Sequence, residues 1–288
     1  MAQFCRCLCF FLFLAFASLA FAQGTYTQID FPSASLTEAT GINAAGEIVG
    51  LYSDNTGGHG FTLQGSAYTT LDYPGAQYSY AEGINDNGQI VGLAEPVGYV
   101  YDSKTQSFTT IQFPGALYTY PVSINNAGSI AGYFQDAQLT YRGFESVGLD
   151  YHRIVPPGAI ASFVTGINAA GALVGYAEIN NNYSNFSLRR STYRTITIAG
   201  VNAPFVLGTN PAGSALVGYY EGVSGTTGFV YQNGVLQSLS FPGAIVTVAT
   251  GMNTKGVVVG YFLDASVVSH GFLWTPPASA PSPLIRIF

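Results

Sequence analysis

Six times along this 288-residue chain the sequence returns to a phrase close to Gly-Ile-Asn-x-x-Gly-x-Ile-Val-Gly. Its asparagine falls at Asn43, Asn85, Asn125, Asn168, Asn210 and Asn253, at intervals of 40 to 43 residues. No single helix or strand has such a period. It belongs to a supersecondary unit that stacks on copies of itself, and several short strands per 40 to 45 residues is the pattern of propeller blades. Each Asn opens a four-residue turn. Its side chain can bond backbone ahead of it, and the glycine at the fourth position (Gly46, Gly88, Gly128, Gly171, Gly213, Gly256) tolerates positive φ.

The second unit shows the internal plan. Tyr68 to Tyr73 alternates and is rich in β-formers, Pro74-Gly75-Ala76 breaks it, Ser79 to Asn85 forms the next strand, and the turn leads into Gln89 to Leu93. A fourth strand begins at Gly98. Inside the third of these strands every unit keeps a glycine (Gly50, Gly92, Gly132, Gly175, Gly218, Gly260), which implies close approach of a neighbouring sheet or a bulge. Unit five has one more residue between its two glycines, Gly213 and Gly218, and predicts a bulge there. The fold class expected is all-β: a six-bladed β-propeller of four-stranded antiparallel blades. The units run near 26–67, 68–107, 108–150, 151–192, 193–235 and 236–277, so the domain spans 23–277. If the Gly-Ile-Asn strand is innermost, the first strand, Tyr26 to Phe31, joins the last blade and closes the ring. Leu284 to Phe288 competes for that slot, after a Pro/Ser/Ala-rich tail over 278–288.

The first 22 residues carry one charge, Arg6, then an apolar run and Ala-Phe-Ala, the form of a secretory signal peptide. An uncleaved anchor is the alternative for the same run. Cys5, Cys7 and Cys9 all lie within it, so the mature chain has no thiol chemistry and no membrane span. The expected location is extracellular or periplasmic. Charged residues make up 8% of the chain and the formal charge is −6, which leaves no basic stripe for nucleic acid. No nucleophile elbow, His-Glu-x-x-His or phosphate loop occurs.

His59-Gly60-Phe61, His270-Gly271-Phe272, Phe113-Pro114-Gly115-Ala116 and Gly166-Ile167-Asn168 resemble the bacterial extracellular HAF repeat. The resemblance covers essentially the whole mature chain. It implies a secreted repeat protein and no established reaction.

Packing and turns obey the repeat, whereas a ligand site breaks it. Three sets of residues stand out. A carboxylate follows each Ile-Val-Gly strand (Asp54, Glu95, Asp136, Glu178, Glu221, Asp264); these oxygens suit Ca2+ or a basic partner, but capping of local amides is the favoured reading. No other cofactor is expected. Aromatic residues follow the Pro-Gly-Ala loops (Tyr78, Tyr80, Tyr118, Tyr120, Phe163, Phe205), with Glu38 and Val248 at the matching place in units one and six. Tyrosine joins a flat apolar face to a hydroxyl, which suits a sugar ring. His59 and His270 share one repeat position, filled by Arg142 in unit three, and a structural hydrogen bond is the expected role. Arg189, Arg190 and Arg194 lie beside Asn180-Asn181-Asn182 in what reads as the longest irregular loop, a solvated edge. The function expected is a non-catalytic binding module for extracellular carbohydrate or protein. The alternative is a glycan hydrolase or lyase using acids such as Glu38 or Glu82.

Overall fold

The computed structural model describes residues 24–223 and 225–277, so the expected signal peptide and the tail over 278–288, including Leu284 to Phe288, lie outside the described residues. All regular structure in the described residues is β-strand, and no helix there is long and apolar enough to cross a membrane. After β1 (Thr25–Ile29) come β2 (Leu36–Ile42), β3 (Ile48–Ser53), β4 (Gly58–Gln64) and β5 (Ala67–Leu71) of unit one. Unit two holds β6 (Tyr80–Ile84), β7 (Gln89–Ala94), β8 (Val97–Asp102) and β9 (Ser107–Ile111). Unit three holds β10 (Tyr118–Ile124), β11 (Ser129–Gln135), β12 (Tyr141–Val147) and β13 (Asp150–Ile154). Unit four holds β14 (Ala161–Ile167), β15 (Leu173–Ile179), β16 (Asn182–Arg189) and β17 (Thr192–Thr195). Unit five holds β18 (Phe205–Thr209), β19 (Ala215–Gly222), β20 (Gly225–Gln232) and β21 (Val235–Leu239), and β22 (Val246–Met252), β23 (Val258–Leu263) and β24 (Ser269–Thr275) follow.

Units one to four are four-stranded antiparallel sheets in chain order. The remaining strands form one eight-stranded sheet in two antiparallel groups, β18 to β21 and β22-β23-β24-β1, linked by the single parallel pair Thr226↔Val246. The first strand pairs with the last, from Thr25↔Thr275 to Ile29↔Gly271. Neighbouring sheets pack face to face. Val49 and Leu71 of unit one meet Ala81, Ile84 and Ile90 of unit two, and Val259 of β23 joins the cluster of Ile29, Ala39, Ile48 and Phe61. Phe61, Phe144, Phe229 and Phe272, each from a different unit at the same repeat position, are fully buried, each contributing about 2–3 kcal/mol.

The repeated asparagine does two jobs. In unit three the Asn125 side-chain oxygen accepts from Ala127 N and Ser129 N at 3.0 Å each, holding the turn. Its Nδ2 donates to Asn168 O of unit four at 3.1 Å. Asn85 reaches Asn125 O at 3.0 Å in the same way, and Asn253 reaches back to Asn43 O at 3.1 Å, linking the last unit to the first. Threonines add a second set of links: Thr40 donates to Ala81 O, Thr165 to Val206 O and Thr250 to Ala39 O, at 2.8 to 2.9 Å.

The strand glycine is explained by a bulge. In all six units the innermost strand slips register by one residue, at Ala39/Gly41, Ala81/Gly83, Pro121/Ser123, Val164/Gly166, Val206/Gly208 and Ala249/Gly251. The slip drives a carbonyl of that strand onto the glycine opposite: Glu38 O onto Gly50, Tyr120 O onto Gly132. The close neighbour is therefore the unit's own inner strand, not an adjacent sheet.

Two local expectations need correction. The extra residue of unit five makes no bulge in β19, which pairs without interruption from Ala215↔Gln232 to Gly222↔Gly225. It lengthens the turn, where Asn210 Oδ1 accepts from both Ser214 N and Ala215 N. A turn absorbs a residue without reversing the faces of a strand, whereas a strand does not. Asn180-Asn181-Asn182 is not an irregular loop. Asn180 and Asn181 have φ of 52° and 62° and close the β15–β16 hairpin directly onto Ile179↔Asn182. Asparagine tolerates this left-handed region, so a polar run becomes a two-residue turn. Arg190 and Ser191 do the same between β16 and β17, placing Arg189, Arg190 and Arg194 on an exposed outer edge.

Candidate functional site

Antiparallel register sets each residue before the inner-strand bulge opposite the residue after the strand glycine. Glu38 faces Leu51, Tyr80 faces Leu93, Tyr120 faces Tyr133, Phe163 faces Tyr176, Phe205 faces Tyr219 and Val248 faces Tyr261. Opposite residues share a sheet face and touch. Tyr120 stacks on Tyr133 with centroids 4.9 Å apart, Phe163 on Tyr176 at 4.9 Å and Phe205 on Tyr219 at 5.1 Å. Edge contacts of 5.2 Å, Tyr133 to Phe163 and Tyr176 to Phe205, join these pairs across unit boundaries. Tyr118 extends the arc, 6.2 Å from Tyr120. Tyr80 stands apart over Gly58, and Tyr78 is exposed.

The arc spans units three to five. The other side carries Glu38, Leu51, Leu93 and Val248. Tyr133, Tyr176 and Tyr219 escape a reading that follows only the Pro-Gly-Ala loops. Their signal is present nonetheless: the residue after the repeated strand glycine is Leu in units one and two and Tyr in the other four.

All six innermost strands contribute to one cavity of about 380 Å³. It runs from the Asn turns, at Ala44, Asp86 and Asn126, to Leu93, Tyr120, Tyr133 and Tyr176. Of the six aromatic candidates, Tyr120 alone lines it. Glu82 lies on its wall, at the bulge position that Thr40, Thr165 and Thr250 occupy in their units. Glu82 keeps accessible surface only because it faces the cavity; elsewhere protein surrounds it. Burial, and then the charge of Glu38, push its carboxyl from 4.5 up to about 7. Burial also raises Glu38, partly offset by a 2.9 Å hydrogen bond from Ser269 Oγ. Burial pushes the hydroxyls of Tyr120, Tyr176 and Tyr261 up to about 12, so they remain neutral donors.

A raised carboxyl has a definite sign in stability. Between pH 4.5 and about 7 the unfolded chain has released a proton that folded Glu82 still holds, so stability falls as pH rises and the loss is complete above 7. Glu82→Gln removes this component. Urea unfolding at pH 5 and pH 8.5 should show a decline smaller than in the wild type by about 1–3 kcal/mol, with Glu38 leaving a residual slope of the same sign. An unchanged decline would mean Glu82 ionises as it does in water.

The loop carboxylates serve their own loops. Asp54 accepts from Thr56 Oγ1 and N at 2.6 and 2.7 Å, and Asp264 from Val268 N and Ser266 N at 2.9 and 2.8 Å; these bonds hold both carboxyls below their ordinary value. At Asp136 burial works upward, but the amides of Thr140 and Gln138 and the Arg142 guanidinium outweigh it. Glu221 accepts from Thr226 Oγ1, and Glu95 precedes Pro96 in a cis peptide bond. Glu178 lies at the end of β15, paired with Ala161 and Tyr183. Among the described residues no group of three His, Cys, Asp or Glu stands close enough to hold a metal ion.

His59 and His270 occupy equivalent frames and do not meet. His59 lies 2.9 Å from Asp72 and 3.4 Å from Asp54 and stacks on Tyr52, while His270 lies 2.8 Å from Asp30 and 3.6 Å from Asp264 and stacks on Phe262. In unit three Arg142 takes the place of histidine against Asp136. This position ties the outer strand to the loop after the second strand. His152, 3.3 Å from Asp150, is exposed.

No protein-family model matches the chain, and no curated protein matches it in sequence. Solved structures do match in shape. The putative TolB of Agrobacterium tumefaciens superposes with a TM-score of 0.57 at 10% identity, over 81% of this chain and 80% of that one. The β-propeller domain of the Trilobed protease from Pyrococcus furiosus gives 0.54 at 8%, over 88% and 99%. A variant of Aleuria aurantia lectin in complex with Fucα1-6GlcNAc gives 0.53 at 12%, over 86% and 98%. Identities this low speak for the fold alone. They make the chain an all-β protein of the β-propeller kind.

Proposed function

We propose that the chain is a secreted, six-bladed β-propeller that binds extracellular carbohydrate without catalysing a reaction on it. In this reading β18 to β21 form one blade, β22 to β24 with β1 form another, and the Asn253 and Thr250 bonds to unit one complete the ring. The HAF-like repeats agree with a secreted protein of this shape.

The observation that carries the binding role is the one-sided aromatic arc of Tyr118, Tyr120, Tyr133, Phe163, Tyr176 and Phe205. A scaffold built on a repeat needs its packing residues in every copy, and here only units three to five carry an aromatic residue at both paired positions. Aromatic faces with phenolic donors match the apolar faces and hydroxyls of sugar rings. Around the arc, the loops at the same end expose Tyr78, Leu117, Leu139, Ile160 and Ile245, and Tyr183 stands exposed in β16 beside Phe205. An exposed apolar surface of this kind marks a recognition face. A lectin among the similar structures shows that this fold accommodates sugar binding.

A glycan array probed with the mature protein should give a restricted set of hits. Tyr78→Ala with Tyr120→Ala should weaken the best of them by about tenfold or more, since a lost stacking contact is worth roughly 1–2 kcal/mol. Unchanged binding would remove the aromatic site. An empty array beside retained binding to an extracellular protein would move the function to protein recognition.

A hydrolytic reading has one observation in its favour: Glu82, with its carboxyl near 7, is available as a general acid at neutral pH. Glycoside hydrolysis also needs an ionised second carboxylate at a suitable distance, and Glu38, the only neighbour that acts on Glu82, is itself raised. Turnover of the bound glycan, abolished in Glu82→Gln, would establish catalysis.

A further inference from the structure

We propose that the cavity at the meeting of the six inner strands is a binding site for a small organic cation, with Glu82 as its counter-ion and Tyr120, Tyr133 and Tyr176 as its aromatic wall. The site borders the carbohydrate face and shares Tyr120, Tyr133 and Tyr176 with its aromatic arc, while its counter-ion, Glu82, stands outside that arc.

The electrostatics are one-sided. Among the described residues no Lys, Arg or His lines the cavity, and the two acids on its wall are Glu82 and Asp86. Asp86 is already engaged, accepting from Ala44 N at 2.7 Å and from Asn126 Nδ2 at 2.8 Å. Among the described residues, none donates a hydrogen bond to the Glu82 carboxylate. A carboxylate enclosed by protein except where it faces the cavity, with no donor to it, is costly to keep charged, and a cation delivered from solvent removes the cost.

The repeat sharpens the point. At this bulge position Thr40, Thr165 and Thr250 each send a hydroxyl to a carbonyl of the next unit. Unit two has given up that link and placed an ionisable group on the cavity wall instead. Val122 and Leu207 fill the position in the other two units, so the scaffold accepts an apolar side chain there. Nothing in the packing requires a carboxylate.

The neighbouring aromatic wall suits the same ligand. Tyrosine faces attract cations through the ring quadrupole, most strongly where water is excluded. Among the described residues the titratable groups facing Glu82 are acids and phenols: Glu38, which disfavours its ionisation, Asp86 on the wall of the same cavity, and tyrosines that stay neutral well above physiological pH. The volume admits a molecule of roughly ten non-hydrogen atoms, judged against about 30 Å³ for each water of liquid.

Choline and its uncharged isostere 3,3-dimethylbutan-1-ol test this directly, titrated calorimetrically into the mature protein. Choline should bind, the isostere should bind at least roughly tenfold more weakly, and choline affinity should rise from pH 6 to pH 8 as Glu82 ionises. Glu82→Gln should sharply reduce the preference for charge, leaving only the contribution of the tyrosine faces. Tyr133→Leu should weaken choline binding without unfolding the chain, because Leu51 and Leu93 already occupy that position in two units. Equal binding of the isostere, no binding of choline, or unaltered selectivity in folded Glu82→Gln overturns the proposal. Glycan binding measured on the same Glu82→Gln sample separates the two sites: its retention there leaves the carbohydrate reading intact whatever choline does.

Discussion

Gly132→Ala should destabilise this protein by about 4 kcal/mol or more, while Gly128→Ala, four residues earlier, should cost only about 1–2 kcal/mol. Both glycines belong to the repeat, and they are kept for opposite reasons. Gly128 has φ of 81° and open space where a Cβ would go, so alanine there meets only the left-handed backbone penalty. Gly132 has room for no Cβ at all. The methyl would fall within the Tyr120 carbonyl oxygen and tight against Pro121 Cα, both in backbone held by the bulge opposite. Relief requires the bulge to be undone, and the register of the inner strand depends on it. Urea unfolding of the two variants at matched m-values measures the difference. Similar small losses would mean that the inner strands carry no bulge at Pro121/Ser123.

The second large effect is expected at Asn253. Asn253→Ala removes acceptors for Lys255 N and Val257 N and the donor to Asn43 O, all at a buried site. Each lost bond costs about 1 kcal/mol net, more where a group is left buried and unpaired, so the total should reach about 3–5 kcal/mol. Asn210 is the control. Its oxygen holds a turn in the same way, but its Nδ2 donates to Ser214 within its own turn. Asn210→Ala should therefore cost less by about 1–2 kcal/mol, which is the contribution of joining the last unit to the first. Equal losses from denaturant titrations would show that the link between these units adds nothing.

These contrasts show what the repeat makes legible. Asparagine and glycine at fixed offsets identify turns because few residues bond their own backbone or adopt positive φ, so the strand plan could be read from Asn43 and Gly46 onward. The reason for the strand glycine was legible only as a choice between a neighbouring sheet and a bulge, because the carbonyl that decides it belongs to the same unit and approaches through a register slip in the strand opposite. Asn180-Asn181 misled for a related reason: the residues that make a loop polar also make the tightest hairpins. At the site, Tyr120 was legible from its place after a Pro-Gly-Ala loop. Tyr133 and Tyr176 carried a signal, the change from Leu to Tyr after the strand glycine, but only strand pairing shows that they reach the cavity. Glu82 gained its significance only when the same position in other units proved to hold threonines bonded across unit boundaries.

The account's central claim is that the repeated residues hold the fold and the residues that differ between copies do the binding. Tyr120→Val with Phe163→Val tests it most directly, because Val248 already stands at that position in unit six and the scaffold accepts it. Calorimetric titration of the folded double variant with the glycan selected on the array should show binding weakened at least tenfold, with a melting temperature within a few degrees of the wild type. Undiminished binding by a folded double variant would contradict the claim.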